Sequence, residues 1–225
     1  MPLPPFQPMP LGRARDPFSH SEWLYEIKWD GFRSLAYVDR GVCRLISRNG
    51  NEFKSFPALN ANLPVKLCAR SAVLDGEIVC LDKEGKTQFK DLLFRRGEPR
   101  FYAFDLPWLN GKDLRHLPLI ERKHRLRSVV RQGGNRLVYC DHIEQDGKGL
   151  FRLACEHDLE GVVAKHMTSQ HLLDRETTWF KIRNRHYSQW LGREELFERE
   201  RERDPDVSGW DSCVRACANL TSARW

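Results

Sequence analysis

Charge placed inside strand-like runs constrains this chain more than any other feature. Residues 71–81 read Ser-Ala-Val-Leu-Asp-Gly-Glu-Ile-Val-Cys-Leu, a strand pattern broken at its centre by Asp75-Gly76-Glu77. Two carboxylates inside an apolar run are costly to bury unless something pairs with them. Phe104-Asp105, Glu160-Gly161 and Lys181-Ile182-Arg183 repeat the intrusion in or beside other strand-like segments. A fold that only had to bury a core would need none of them.

The theme is sharpest in Glu26-Ile27-Lys28-Trp29-Asp30-Gly31-Phe32-Arg33, where Lys28 ends the apolar run begun by Trp23-Leu24-Tyr25. A lysine walled by aromatics and set near other cations loses part of the hydration that keeps it protonated. Its free amine then becomes a usable nucleophile. Gly31 permits a sharp bend that would let a phosphate approach the amine. Arg33 would offer a bidentate phosphate partner on the same side. Alone, the stretch reads more simply as a surface lysine before an Asp-Gly turn; the rest of the chain decides against that.

At 225 residues the chain suits one good-sized domain, or a domain with a tail. A net charge of +6 and a pI near 9.0 suit a polyanionic partner such as nucleic acid or nucleotide. The seven cysteines are scattered and odd in number, and no signal peptide precedes them. This points to a cytoplasmic protein with reduced thiols. No apolar run approaches the ~20 residues of a membrane helix, so no membrane partner is expected. Cys213 and Cys217 lack the second pair or nearby histidine of a zinc site, and the eight histidines show no ligand spacing.

Strands are expected over 23–28, 33–38, 42–47, 71–81, 100–106, 137–141, 161–164 and 178–182. Turns fall at Asp39-Arg40-Gly41, Asn110-Gly111 and Ser47-Arg48-Asn49-Gly50, the last presenting Arg48 on a rigid corner. Helices are expected over 57–68, interrupted at Pro64, and over 88–95, 119–130 and 147–158. The third has a basic outer face, and the fourth turns Leu150, Phe151, Leu153 and Ala154 inward. Residues 1–21 look like a proline-rich extended arm crossing the surface rather than an element. The fold class is α+β, with mixed, mainly antiparallel sheets and flanking helices. One domain spans 1–190; residues 191–225 form a charged tail, with a solvated Arg/Glu helix at 193–203.

The inventory is a nucleophilic amine, two separated glutamates, a flat aromatic and several cations, the set that chemistry on a nucleoside triphosphate needs. Six blocks carry a resemblance, in order: Lys28-Trp29-Asp30-Gly31-Phe32-Arg33, Ser47-Arg48-Asn49-Gly50, Asp75-Gly76-Glu77-Ile78-Val79, Phe101-Tyr102-Ala103-Phe104-Asp105, Glu160-Gly161-Val162-Val163-Ala164-Lys165, and Trp179-Phe180-Lys181-Ile182-Arg183. The sequence resembles the nucleotidyltransferase (adenylation) domain of ATP-dependent DNA ligases, most of all the bacterial end-joining type, over about residues 17–188.

The resemblance implies an ATP-grasp-like fold, ATP as substrate with AMP as a covalent intermediate, and Mg²⁺ or Mn²⁺. It makes Lys28 the residue that takes AMP, with Glu26 beside the adenine, Arg33 beside the ribose and phosphate, and Phe104 stacked on the base. Glu77 would contact the ribose and help hold metal, Glu160 would be the main metal carboxylate, and Lys181 and Arg183 would neutralise the α-phosphate. Arg48 would grip a phosphate of nicked or broken DNA. Arg183 departs from the family's usual lysine, keeping charge but changing geometry. Residues 191–225 are too few for the OB-fold domain that usually follows, so an OB-domain or repair-protein partner is expected. An RNA ligase would share every block, and a non-catalytic nucleic-acid or partner-binding module would keep the fold without turnover.

Overall fold

A computed structural model describes residues 3–131, 133, 135–171 and 177–190, and it is built on two sheets facing one another. In the first, the order is β1 (Gly12–Arg13), β11 (Trp179–Arg183), β10 (Gly161–His166), β2 (Trp23–Ile27) and β9 (Ile143–Glu144). The second runs β4 (Val42–Ser47), β3 (Phe32–Asp39), β5 (Ser71–Cys80), β6 (Pro99–Leu109) and β7 (Lys112–Asp113), with β8 (Leu137–Tyr139) also beside β6. Pairing is antiparallel except for β1 with β11 and β6 with β8. The expected fold class is the observed one.

Side chains alternate along a strand, so each sheet has one apolar face and one face for the site. Tyr25, Val162, Ala164 and Ile182 pack under Leu150 and Ala154 of α4 (Gly147–Glu156). On the second sheet, Phe32, Ala36, Leu74, Ile78 and Phe101 pack against Leu59 and Leu63 of α1 (Pro57–Lys66) and Leu92 of α2 (Phe89–Leu93). The opposite faces meet through Leu24 and Trp179 of the first sheet and Phe104 of the second, with Leu119 opening α3 (Leu119–Val129). Two tight hairpins hold the second sheet's register. Arg40-Gly41 (φ +45°, +84°) and Asn110-Gly111 (φ +46°, +87°) both adopt the left-handed pair that two-residue hairpins demand.

The puzzle of the buried carboxylates resolves at β5 and β6. Pairing is irregular around Asp75, which stands opposite Asp105, and both are fully buried. Like charges placed opposite would repel. Each is met by its own arginine: Arg33 Nε and Nη2 lie 3.0 and 2.7 Å from Asp75, and Arg122 Nε and Nη2 lie 2.7 and 2.9 Å from Asp105.

Several expectations need correction. The helix from Pro57 runs through Pro64 to Lys66 rather than breaking there. Pro64 forfeits one backbone hydrogen bond, but Leu59 and Leu63 keep the helix seated on the core. The face of α3 read as wholly basic and outer includes Arg122 and Lys123, both fully buried. Leu153 is 45% exposed rather than inward. The tail 191–225, with Cys213 and Cys217, lies outside the described residues.

The arm is also more than a surface crossing. Phe6 packs on Leu35 and Val73 of the second sheet, and its N–H donates to Tyr37 Oη at 2.8 Å. Met9 enters the cluster between the sheets, and Gly12 and Arg13 then pair with Phe180 and Lys181 as an edge strand of the first sheet. The arm therefore ties the sheets together. His171 fastens it: Nε2 lies 2.9 Å from the Gln7 carbonyl and Nδ1 lies 3.1 Å from Asp105 Oδ2. Both partners are acceptors, so both ring nitrogens must carry protons.

Burial opposes that imidazolium, but the hydrogen bond and charge of Asp105, with Asp75 behind it, raise the His171 pKa above the ordinary value. A raised folded pKa gives stability that is full below the unfolded value near 6.5 and is lost as pH climbs through the folded value. Urea unfolding of the wild type and His171→Gln should therefore differ most at pH 5.5–6 and converge at alkaline pH. A difference that grows with pH would refute the charged fastener.

Candidate active site

The strand register lays out the site. On the first sheet, Glu26, Val163, Lys181 and Arg13 are successive partners across β2, β10, β11 and β1. One row along, Gly161 pairs with Arg183, and the Lys28 N–H donates to the Gly161 carbonyl at 2.9 Å. A third row holds Leu24, Lys165 and Trp179. Register partners share a face. This inner face thus carries Arg13, Lys28, Lys165, Lys181 and Arg183, with Glu26 as the buried carboxylate of its central rows.

Lys28 Nζ lies 2.5 Å from Glu160 Oε2, with the lysine 18% exposed and the glutamate nearly buried. Gly161 fixes that geometry: its φ of +137° is a glycine conformation, and a Cβ there would stand 2.1 Å from the Ile182 carbonyl oxygen. Gly31 lies at the expected bend just before β3, and it serves a second purpose as well. A Cβ at that position would meet the Ile78 carbonyl oxygen at 2.0 Å, so that purpose is close packing of Gly31 on β5.

Across the cleft, Glu77 sits on β5 in register with Arg33 and Tyr102. Burial pushes its carboxyl up to about 8; Lys28 and Arg33 pull it down, while Glu160 and Asp30 push it further up. Asp30 accepts from Tyr187 Oη at 2.9 Å, and Tyr187 Oη lies 2.9 Å from Thr87 Oγ1. Three carboxylates thus influence one another beside the lysine.

The cationic wall is under strain of the same kind. Burial, then Arg183, Lys28, Arg13 and Arg48, lower the Lys181 pKa to about 8. Arg183 lies 4.6 Å over the Trp190 ring, a stacking that a planar guanidinium makes and an ammonium does not. Its Nε is buried with no acceptor among the described residues. A buried donor without a partner is costly, and an anion in the cleft would satisfy it. Arg48 stands on the exposed turn after β4.

Two candidates are held more tightly than a free ligand-binding group would be. Arg33 is clamped to Asp75 and lies 5.2 Å over the Phe104 ring. Glu26 is buried between Lys123 Nζ at 2.5 Å and Lys165 Nζ at 2.6 Å. Burial raises the Glu26 pKa, and the two ammonium groups outweigh it, leaving the carboxyl below its usual range. One carboxylate cannot neutralise two lysines equally. Lys165, opposed by burial and repelled by Lys123, is lowered, whereas Glu26 holds Lys123 above the ordinary value against burial. Phe104 is 9% exposed, with Lys165 Nζ 4.1 Å from its centroid and Trp179 edge-on at 6.1 Å.

Lys123, Lys165, Arg122 and Arg13 were missed as site-supporting residues. A signal existed for three of them. Arg122 and Lys123 fall three and four places after Leu119, on the stripe completed by Leu126. Lys165 shares the parity of Gly161 and Val163, opposite the apolar Val162 and Ala164.

A family model for the ATP-dependent DNA ligase domain matches residues 12–183. The chain belongs to that family. The multifunctional non-homologous end joining protein LigD of Pseudomonas aeruginosa is 36% identical over 169 residues, covering 72% of this chain and 20% of that protein. The SPbeta prophage-derived DNA ligase-like protein LigB of Bacillus subtilis is 28% identical over 193 residues, covering 82% of this chain and 69% of its own length. Among solved structures, mycobacterial DNA ligase D complexed with ATP and MES superposes with a TM-score of 0.67 at 30% identity, covering 79% of this chain and 60% of the other. The chain spans about a fifth of the length of the Pseudomonas and mycobacterial LigD proteins it matches, and 32% of the Bacillus subtilis LigD. Among the described residues, no helix is long and apolar enough to cross a membrane.

Glu26→Ala would leave Lys123 and Lys165 buried without a counter-charge. Removing one partner of a buried pair costs about 3–5 kcal/mol. Urea denaturation should show a loss of that order, and a change below about 1 kcal/mol would mean that the triad is not closed in solution.

Proposed function

We propose that the chain is the adenylation module of an ATP-dependent DNA ligase. In this reading Lys28 attacks the α-phosphorus of ATP and keeps AMP as a phosphoramidate. AMP then passes to a 5′-phosphate at a nick or break, and the adjacent 3′-hydroxyl displaces it. The observation that carries the reading is the partly exposed Lys28 in a cleft whose opposite needs are met by one ligand. Among the described residues, the wall of Lys181 and Arg183 lacks anions, including an acceptor for Arg183 Nε. A phosphate beside Lys28 supplies them.

Lys181 and Arg183 stabilise charge on the α-phosphate. Phe104 and Glu26 form the base pocket, where a Glu26 oxygen already bonded to lysine still has a lone pair for an exocyclic amine. Arg33 gives Nε and Nη2 to Asp75 and has Nη1 left for ribose or phosphate. Glu77 faces the ribose, and Arg48 takes a phosphate of the DNA strand. DNA, a cytoplasmic setting and an OB-type domain or repair partner over the open side complete the proposal.

The donors also suit a divalent cation. Glu77, disfavoured as an anion by Glu160 and Asp30, would gain from one, and oxygen donors match Mg²⁺ or Mn²⁺. Among the described residues no three metal-ligating side chains gather as a cage, which fits an ion completed by nucleotide phosphates. Glu160 and Glu77 would hold it, and it would offset charge on the phosphate oxygens.

Intact mass of the purified chain after incubation with ATP and Mg²⁺ should rise by one AMP, and Lys28→Ala should show no gain. A mass unchanged in the wild type, with DNA binding intact, would favour a non-catalytic module. Lys181 binds phosphate as a cation, and its pKa near 8 means that binding above that pH requires proton uptake. ATP affinity should therefore fall as pH rises from 7.5 to 9, with the slope flattened in Lys181→Arg. A wild-type profile already flat would remove Lys181 from the phosphate site.

A further inference from the structure

Arg13 has no task in the reading above, yet the fold delivers it to the site. It lies on the edge strand β1 in register with Lys181, so both side chains rise from the same inner face. The residue is exposed and makes no ion pair or side-chain hydrogen bond with another described residue. Its strand is not a loose end. Phe6 and Met9 are buried upstream, the Ala14 N–H donates to the Lys181 carbonyl at 3.1 Å, and Thr177 Oγ1 donates to the Pro10 carbonyl at 2.6 Å.

The strand order gives the cation a direction as well as a place. From β2 the sheet runs through β10 and β11 to β1, three steps of about 4.8 Å, or about 14 Å in all. Between Lys28 and the far edge, the row crosses Gly161, which has no side chain, and then Arg183. In phosphoryl transfer the leaving group departs opposite the attacking atom. An attack launched from the β2 side therefore sends the leaving group over Gly161 towards β11 and β1. Lys181 and Arg183 lie first on that line; Arg13 lies last.

Resting on the adenylation reading, we propose that Arg13 binds the β- and γ-phosphates of the nucleotide and receives them as pyrophosphate when Lys28 is adenylated. The neutral amine of Lys28 attacks the α-phosphorus, and the N–P bond forms as the bond from that phosphorus to the bridging oxygen breaks. The oxygen keeps the electron pair and leaves with pyrophosphate, while the proton from nitrogen passes to solvent. Arg13 donates charge-assisted hydrogen bonds to the departing group. Because the arm places it, Arg13 gives a structural reason for the arm to end as a strand of the first sheet.

The test measures ATP, pyrophosphate and AMP binding to the full chain by calorimetry in a Lys28→Ala background, with and without Arg13→Ala or Arg13→Lys. Arg13→Ala should weaken ATP and pyrophosphate about tenfold, the scale of one lost charge-assisted hydrogen bond. AMP should change less than twofold, and Arg13→Lys should recover part of the loss. Sealing of a pre-adenylated nick by chains differing only at Arg13 should be equal. Equal ATP affinities, or a loss confined to sealing, would overturn the proposal, the latter assigning Arg13 to a DNA phosphate. If the chain with Arg13 intact binds no ATP, the adenylation reading fails and this inference falls with it. ATP binding that Arg13→Ala leaves unchanged sinks this inference alone.

Discussion

Two aspartates facing each other across adjacent strands, buried where water cannot screen them, set the terms for the rest of this structure. Asp75 and Asp105 can be ionised there only if cations reach them from other elements, and each does so by a different route. Asp75 takes Arg33 from the neighbouring strand β3, which lays the guanidinium over Phe104. Asp105 takes Arg122 from α3 and His171 from the segment after β10, and His171 in turn holds the arm at Gln7. One repulsive pair thus recruits a strand, a helix, a loop and the arm. The irregular pairing of β5 with β6 is where the sheet accommodates it.

The same economy governs the first sheet. Its outer face is an ordinary apolar surface under α4, so its inner face is free to carry charge, and strand register decides which charges stand side by side. Glu26 neutralises the deep lysines, Lys123 and Lys165, inside the protein. Among the described residues, the shallower cations Lys181, Arg183 and Arg13 have no comparable carboxylate beside them. That division is a depth gradient: ion pairs that belong to the fold lie at the bottom, and uncompensated charge lies towards the mouth.

Much of this was legible in the sequence, for a reason that particular residues show. The strand ranges followed from alternation, the hairpins from Arg40-Gly41 and Asn110-Gly111, and the odd carboxylate at 75 correctly announced a buried partner. Which partner it was was not legible, since Arg33 with Asp75 and Arg122 with Asp105 join residues 42 and 17 apart through pairings no local pattern encodes. Arg122 and Lys123 were lost because a charged pair on an amphipathic helix reads as solvent-facing, although their spacing from Leu119 placed them inward. Gly31 was recognised as a glycine with a purpose, whereas the positive φ that Gly161 requires was not read from the sequence. At Gly31 the bend is present, and close contact with the Ile78 carbonyl is a further requirement for glycine.

Five cations share the inner face, and on the proposed adenylation chemistry their environments separate nucleophile from electrostatic support. Lys165 is locked between Glu26 and two aromatic rings, too deep to reach a substrate and too costly to unpair. Lys181, lowered to about 8, has an amine that loses its proton more readily than an ordinary lysine. The causes of that shift argue against a nucleophilic role. After burial, its neighbours Arg183, Lys28, Arg13 and Arg48 depress it, and a bound phosphate would cancel their repulsion and restore its charge. A group that regains its proton when substrate arrives is a phosphate ligand. Lys28 differs in kind: it is partly exposed and held by one carboxylate, Glu160, rather than by a closed network. In the adenylation reading, a divalent cation held by Glu160 would draw that carboxylate away from Lys28 and free the amine beside the α-phosphorus. On that reading, the residue suited to attack is the one held by a single exchangeable restraint rather than by a closed network.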